Sequence, residues 1–108
     1  MKKAFICSPY SCGDLKTNIE TAKKCAKHAA ENGFVPIVPH LYFTQFLQDA
    51  IPDERELGIK LGLESMKDCD ELWIFEGNGI SEGMKVEIEH WKKHYPEKKI
   101  AKLEEITC

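Results

Sequence analysis

The sequence predicts an α/β fold of three layers, a parallel sheet with helices on both faces. Three observations predict it. Short apolar runs of strand length alternate with helix-like segments along all 108 residues. The runs "KAFIC" (3–7) and "ELWIF" (71–75) are almost continuously apolar, as strands covered on both faces are. No repeat, linker or low-complexity stretch breaks the pattern, so residues 1–108 read as a single domain.

The elements follow in order. "KAFIC" is the first strand and runs into the polar loop "SPYSCGD". Asp14 caps the next helix, where Leu15, Ile19, Ala22, Ala26 and Ala29 recur at helical spacing. "ENG" ends it, with Gly33 expected in the left-handed region after the last turn. "FVPIV" (34–38) is a second strand, and Pro36 places it at an edge because proline cannot donate to a ladder. The aromatic connection "PHLYFTQFLQDAIP" follows, with room for a short helix. Asp53 and Glu56 have capping-box spacing, and a helix is expected from there to about Cys69. "ELWIF" is the central strand, with Trp73 in the core. A helix from Ser81 to about His94 and a weaker strand in "KKIAKL" complete the chain.

Composition excludes several function classes. The chain is 43% hydrophobic and 31% charged, with a net charge of −3 and a pI of about 5.8. Its most basic stretch, "WKKHYPEKK", is diluted by acidic neighbours, so no nucleic acid polymer is expected as a partner. No apolar run approaches the roughly 20 residues that span a bilayer, so no membrane partner is expected either. "MKKAFIC" opens like a signal segment, but Pro9, Ser11 and Asp14 interrupt it, and it reads better as a strand. The five cysteines form no C-x-x-C pair, so neither a disulfide framework nor a zinc site follows. Scattered thiols suit a reducing cytoplasm, the expected location. Cys12, in a loop, is the one to test for reactivity. No metal and no cofactor are implied.

In parallel sheets ligands bind beyond the carboxyl ends of the strands. "SPYSCGD", "PHLYF" and "EGNGISEG" land there. The last opens a helix whose stripe is Met84, Ile88, Trp91 and Tyr95, with Glu87 at its border. Helical side chains lean toward the N-terminus, so Glu87 reaches over Gly83, which leaves space. Ser81 caps the helix, and the free amides of its first turn favour an anion. A sugar phosphate fits a site made of an anion cradle and a carboxylate one turn away. The plainer reading, a loop glycine and a solvated glutamate, has even weight on spacing alone. Ser8, Tyr10 and Ser11 offer hydroxyls, but the first loop has neither P-loop nor dinucleotide glycine spacing. His40 is either a structural hydrogen-bonder or part of the site. Tyr42, Phe43 and Phe46 line a base pocket or cover the core. Arg55 binds an anion or lies on the surface.

The helix from Asp53 has two apolar sides, Ile59, Leu63 and Met66 on one and Leu57 and Leu61 nearly opposite. One side covers the sheet and the other needs a partner. Gly58 and Gly62, four apart, permit close approach of another element. A homodimer or higher homo-oligomer with this helix at its interface is expected.

"ICSPY", "CDELWIF" and "ISEGMKVEIE" together resemble the nucleoside 2-deoxyribosyltransferase superfamily, including its small phage and bacterial domains of unknown function. The resemblance covers residues 2 to about 101. Its most specific part, S-x-G-x-x-x-E at Ser81, Gly83 and Glu87, is also similar to the 2'-deoxynucleoside 5'-phosphate N-hydrolases. The resemblance implies a flavodoxin/Rossmann-like three-layer sandwich with a four- to five-stranded parallel sheet. It implies a small-molecule nucleoside or nucleotide as partner, and cleavage or transfer at its N-glycosidic bond. By position Glu87 inherits the nucleophile's role and Ser81 the phosphate contact. Ser8, Pro9 and Tyr10 inherit sugar contacts, and His40, Arg55, Glu64, Gly83 and Met84 complete the expected binding set. The family's aspartate ahead of the central strand is missing: its position falls near Gly62, and the nearest acid is Glu64. That departure supports a rival reading, a non-catalytic module that senses or sequesters a nucleotide.

Overall fold

The computed structural model describes residues 1–10, 13–77 and 79–103. It is a flavodoxin/Rossmann-like sandwich built on a four-stranded, all-parallel sheet. The strands are β1 (Lys2–Cys7), β2 (Phe34–Ile37), β3 (Glu71–Phe75) and β4 (Lys99–Leu103). The helices are α1 (Leu15–Glu31), α2 (Pro39–Tyr42), α3 (Pro52–Ser65) and α4 (Glu82–His94). The strand order is β2-β1-β3-β4, so β2 is an edge, as Pro36 requires. Successive crossovers depart on opposite sides of β1 and β3, and the sheet's topological switch lies between those two strands.

Two cores cover the two faces. On one, Phe5, Cys7, Leu72 and Ile74 meet Met66 beyond the end of α3 and Met84 and Trp91 of α4. On the other, Ala4, Ile6, Trp73 and Phe75 meet Cys25 and Ala29 of α1. Every residue of β3 is buried, the burial expected of a central strand. Trp73 is in the core as expected, and its indole Nε1 donates to Glu71 Oε1 at 3.0 Å. Cys7, Cys25 and Cys69 are buried thiols, while Ser11, Cys12 and Cys108 lie outside the described residues.

The helix starts show what each cap residue does. Asp14 caps α1, accepting from the Thr17 amide at 3.1 Å. Gly33 follows that helix with φ of +82°, the left-handed geometry that an L side chain resists. The buried face of α1 is Asn18, Ala22, Cys25 and Ala29, turned from the expected stripe so that Leu15 is exposed. Asn18 tolerates burial because its amide donates to the Tyr10 carbonyl at 2.7 Å.

Helix α3 differs from expectation at both levels. It begins at Pro52, whose fixed φ suits the first turn, and not in a box between Asp53 and Glu56. No side chain caps it; Glu54 instead accepts the Gln48 amide at 2.8 Å and fastens the preceding connection. Leu63 and Met66 pack on the sheet, but Ile59 is 45% exposed. The reason is the aromatic connection, which wedges under the first half of the helix. A Cβ on Gly62 would lie 3.6 Å from the Pro39 ring, and one on Gly58 would lie 3.8 Å from Leu47. The close approach that these glycines permit is therefore made within the chain. Among the described residues, no helix is long and apolar enough to cross a membrane.

Candidate functional site

A cavity of about 280 Å³ opens where the switch in strand order predicts a crevice. Its walls come from separate parts of the chain. Tyr10, just after β1, forms one side. Pro39 and His40 of α2, with Phe43, Thr44, Leu47 and Asp49 of the connection, form the next. Glu54, Arg55, Gly58, Ile59 and Gly62 come from α3, and Ser81, Glu82, Gly83, Val86 and Glu87 from the start of α4.

The start of α4 answers to its sequence. Ser81 is the N-cap: its Oγ accepts from the Met84 amide at 3.2 Å. Ahead of that bond, the first-turn amides have no helical partner and favour negative charge. Gly83 leaves the space above them open, since an added Cβ would meet only Ser81 Oγ, 3.9 Å away. Glu82 adds a carboxylate beside the same amides, paired with Lys85 at 3.2 Å. The cradle is thus partly supplied with its own anion.

Glu87 is the chemically unusual group. It is only 9% exposed, and its Oε1 has no hydrogen-bond partner among the described residues. Burial pushes its pKa up to about 8, and the neighbouring Cys7 thiol is a lesser influence against that rise. In the free protein at neutral pH it is therefore mostly a neutral carboxylic acid. Cys7 sits at the carboxyl end of β1, fully buried, with its thiol 3.9 Å from the Met84 carbonyl. Burial, then the neighbouring Glu87, hold that thiol far above its ordinary range, so it remains protonated.

His40 binds the first loop to the second. Its Nε2 lies 3.1 Å from the Ser8 carbonyl, and its ring stacks on Tyr10 with centroids 5.0 Å apart. Burial lowers its pKa. A neutral ring facing a carbonyl through Nε2 must carry its proton there, leaving Nδ1 as an acceptor. Arg55 contributes the guanidinium of the cavity wall, with Nε 3.6 Å from Asp49 Oδ1.

Of the residues expected in the site, Tyr10, His40, Arg55, Ser81, Gly83 and Glu87 line this cavity. Ser8, Pro9 and Met84 are buried and do not form its wall; Met84 packs in the core and Ser8 Oγ has no partner among the described residues. Glu64 is elsewhere. It lies in a second surface pocket with Lys60, Lys67, His90 and His94, ion-paired to Lys67 on an exposed face. Position along the helix explains this: Gly62 already meets Pro39, so the next turn has passed the cavity. Of the aromatic trio, Phe43 lines the cavity, whereas Tyr42 and Phe46 are 63% and 56% exposed. Asp49 and Glu54 were not singled out by sequence. The signal was the length of the connection, whose return to the site only tertiary structure reveals. Among the described residues, no cluster of three or more His, Cys, Asp or Glu could hold a metal ion.

Residues 2–100 match a family model described as a domain of unknown function (DUF7768). No curated protein and no solved structure gives a significant match to the chain.

Proposed function

This chain belongs to the DUF7768 family, and we propose that it cleaves or transfers at the N-glycosidic bond of a nucleoside or nucleoside 5'-monophosphate, with Glu87 as nucleophile. One observation carries the reading. A carboxyl group is buried beside a cavity at the sheet's switch point, with one oxygen unpartnered and a glycine opening the space over it. The S-x-G-x-x-x-E residues, which resemble those of nucleoside 2-deoxyribosyltransferases, all line that cavity.

The reaction begins with loss of the Glu87 proton to solvent. The carboxylate then attacks C1' of the sugar. The C1'–N bond breaks, its electron pair leaves with the base, and the base takes a proton from water at the exposed rim. The resulting glycosyl ester is resolved at C1' by water, which gives the free sugar, or by a second base, which gives a new nucleoside. Phe43 and the Tyr10–His40 stack offer flat apolar surface to the base. Arg55 and the α4 amides offer donors to a phosphate or to base carbonyls. No metal and no redox group takes part in these steps.

One observation favours the rival, a nucleotide-binding module without catalysis. A carboxyl group with a pKa near 8 is neutral under ordinary conditions and is a poor nucleophile until it ionises. The two readings part in a single assay: incubation with a panel of nucleosides, deoxynucleosides and their monophosphates, with chromatography for free base. Release of base from one class supports the enzyme; tight binding without release supports the module. The residues Leu57 and Ile59, 46% and 45% exposed, are the remaining grounds for a homo-oligomer. Light scattering, with Leu61→Asp as the disrupting variant, tests it.

A further inference from the structure

Taking the cavity as a nucleoside site, as proposed above, we infer that Asp49 and Glu54 select between the two candidate substrates, admitting an uncharged nucleoside and turning away its 5'-monophosphate. The two acids and Arg55 form one unit on the cavity wall. Glu54 accepts the Gln48 amide at 2.8 Å, which ties it to the residue just before Asp49. Arg55 follows Glu54 on α3, and its Nε lies 3.6 Å from Asp49 Oδ1. Among the described residues, Arg55 is the one lysine or arginine in the wall, against Asp49, Glu54 and Glu82 as acids. Its charge is offset by Asp49 before any ligand arrives, and the other two carboxylates remain.

A 5'-phosphate carries about 1.5 to 2 negative charges at neutral pH, and its oxygens are strong acceptors. A carboxylate is an acceptor too, so the two repel and share no hydrogen bond. Between the low-dielectric walls of a cleft that repulsion is stronger than in water. No neighbouring side chain relieves it. His40 is neutral, because burial lowers its pKa. Lys85 pairs with Glu82 at 3.2 Å and stands outside the wall. The first-turn amides of α4 favour an anion, but Glu82 already stands in that turn. A phosphate clamp at this wall needs a free guanidinium, and Asp49 holds the one present. Sugar hydroxyls and base amino groups are donors, and a wall rich in acceptors suits them.

The test is calorimetric titration of the parent, at neutral pH, with the common deoxynucleosides and their 5'-monophosphates. At an ionic strength of about 0.01 M, the nucleoside that binds best binds about 10-fold or more tighter than its own monophosphate. At about 1 M the gap narrows, because salt screens the repulsion and leaves the uncharged ligand unaffected. Asp49→Asn keeps the size and frees Arg55. It raises monophosphate affinity about 10-fold at low salt and moves nucleoside affinity by less. A monophosphate that binds as tightly as its nucleoside, or that loses affinity as salt rises, overturns the inference and leaves the N-glycosidic reading standing. A nucleoside favoured in this way by a protein that releases no base supports the selection and ends the reading as an enzyme instead. If Asp49→Asn does not fold, the sign of the salt effect in the parent decides. Failure of every nucleoside and monophosphate to bind overturns both.

Discussion

Glu71 and Glu87 are buried almost equally, 8% and 9% exposed, yet they are opposite kinds of residue. Glu71 opens β3 at the amino end of the sheet, and its Oε1 accepts from Trp73 Nε1 two residues along the same strand. Glu87 lies near the carboxyl end, in the wall of a cavity, and its Oε1 has no partner among the described residues. A buried acceptor that is bonded within its own strand is a structural strut. A buried acceptor left unbonded is a cost that folding alone would remove, and its retention beside a cavity points to a ligand. Burial by itself does not separate the two; the presence of a partner does.

The largest effect expected from this contrast is on activity. Glu87→Gln keeps the shape and removes the nucleophile, so base release falls about 10³-fold or more while nucleoside binding persists. Glu71→Gln keeps an acceptor for Trp73 and leaves base release within a few-fold of the parent, measured in the same chromatographic assay. In the parent, kcat/KM rises with pH toward about 8, as the free protein loses the Glu87 proton.

Next in size is Gly83→Val. The site tolerates a Cβ, which would touch only Ser81 Oγ, but the branched side chain fills the space above the first turn. Nucleoside binding weakens about 100-fold, with the melting temperature little changed, by calorimetry of both.

The stability that Glu87 contributes depends on pH. Glu87 has a folded-state pKa raised from 4.5 to about 8, so the folded chain keeps a proton that the unfolded chain releases. The stability it contributes is complete below pH 4.5 and is lost as pH rises toward 8. Glu87→Gln has no such proton, so it gains on the parent across that window, by about 3 kcal/mol at pH 7. Urea denaturation at pH 4.5 and pH 7 reads the gap closing and opening. The smallest effect is that of Glu71→Ala, which leaves the Trp73 indole unbonded and costs about 1–3 kcal/mol in the same measurement.

Much of the fold was legible because local chemistry decides it. Pro36 marks an edge strand, Gly33 ends α1, Asp14 and Ser81 cap their helices, and the continuous apolar run "ELWIF" becomes the fully buried β3. The site was legible at α4 for the same reason: Ser81, Gly83 and Glu87 are placed by helical spacing alone. Where the reading failed, a contact distant in sequence had won. The connection from Pro39 to Ile51 folds back beneath α3, which occupies Gly58 and Gly62, lifts Ile59 from the sheet and carries Asp49 into the cavity. Glu64 lies outside the site, on an exposed face beside Lys67. The depth of Glu87's burial was also hidden, because its helix position is a border that only packing resolves.

The most direct test is the mass of the peptide that contains Glu87. The parent is incubated with a slow substrate, a 2-fluoro-2-deoxynucleoside, quenched in acid, digested and compared with Glu87→Gln. The nucleophile reading predicts one added sugar on that peptide in the parent, absent from the variant, with free base released in equal amount. No adduct on any peptide and no base released, from a protein that binds the nucleoside tightly, would contradict it and leave Glu87 as a group that holds a ligand without reacting.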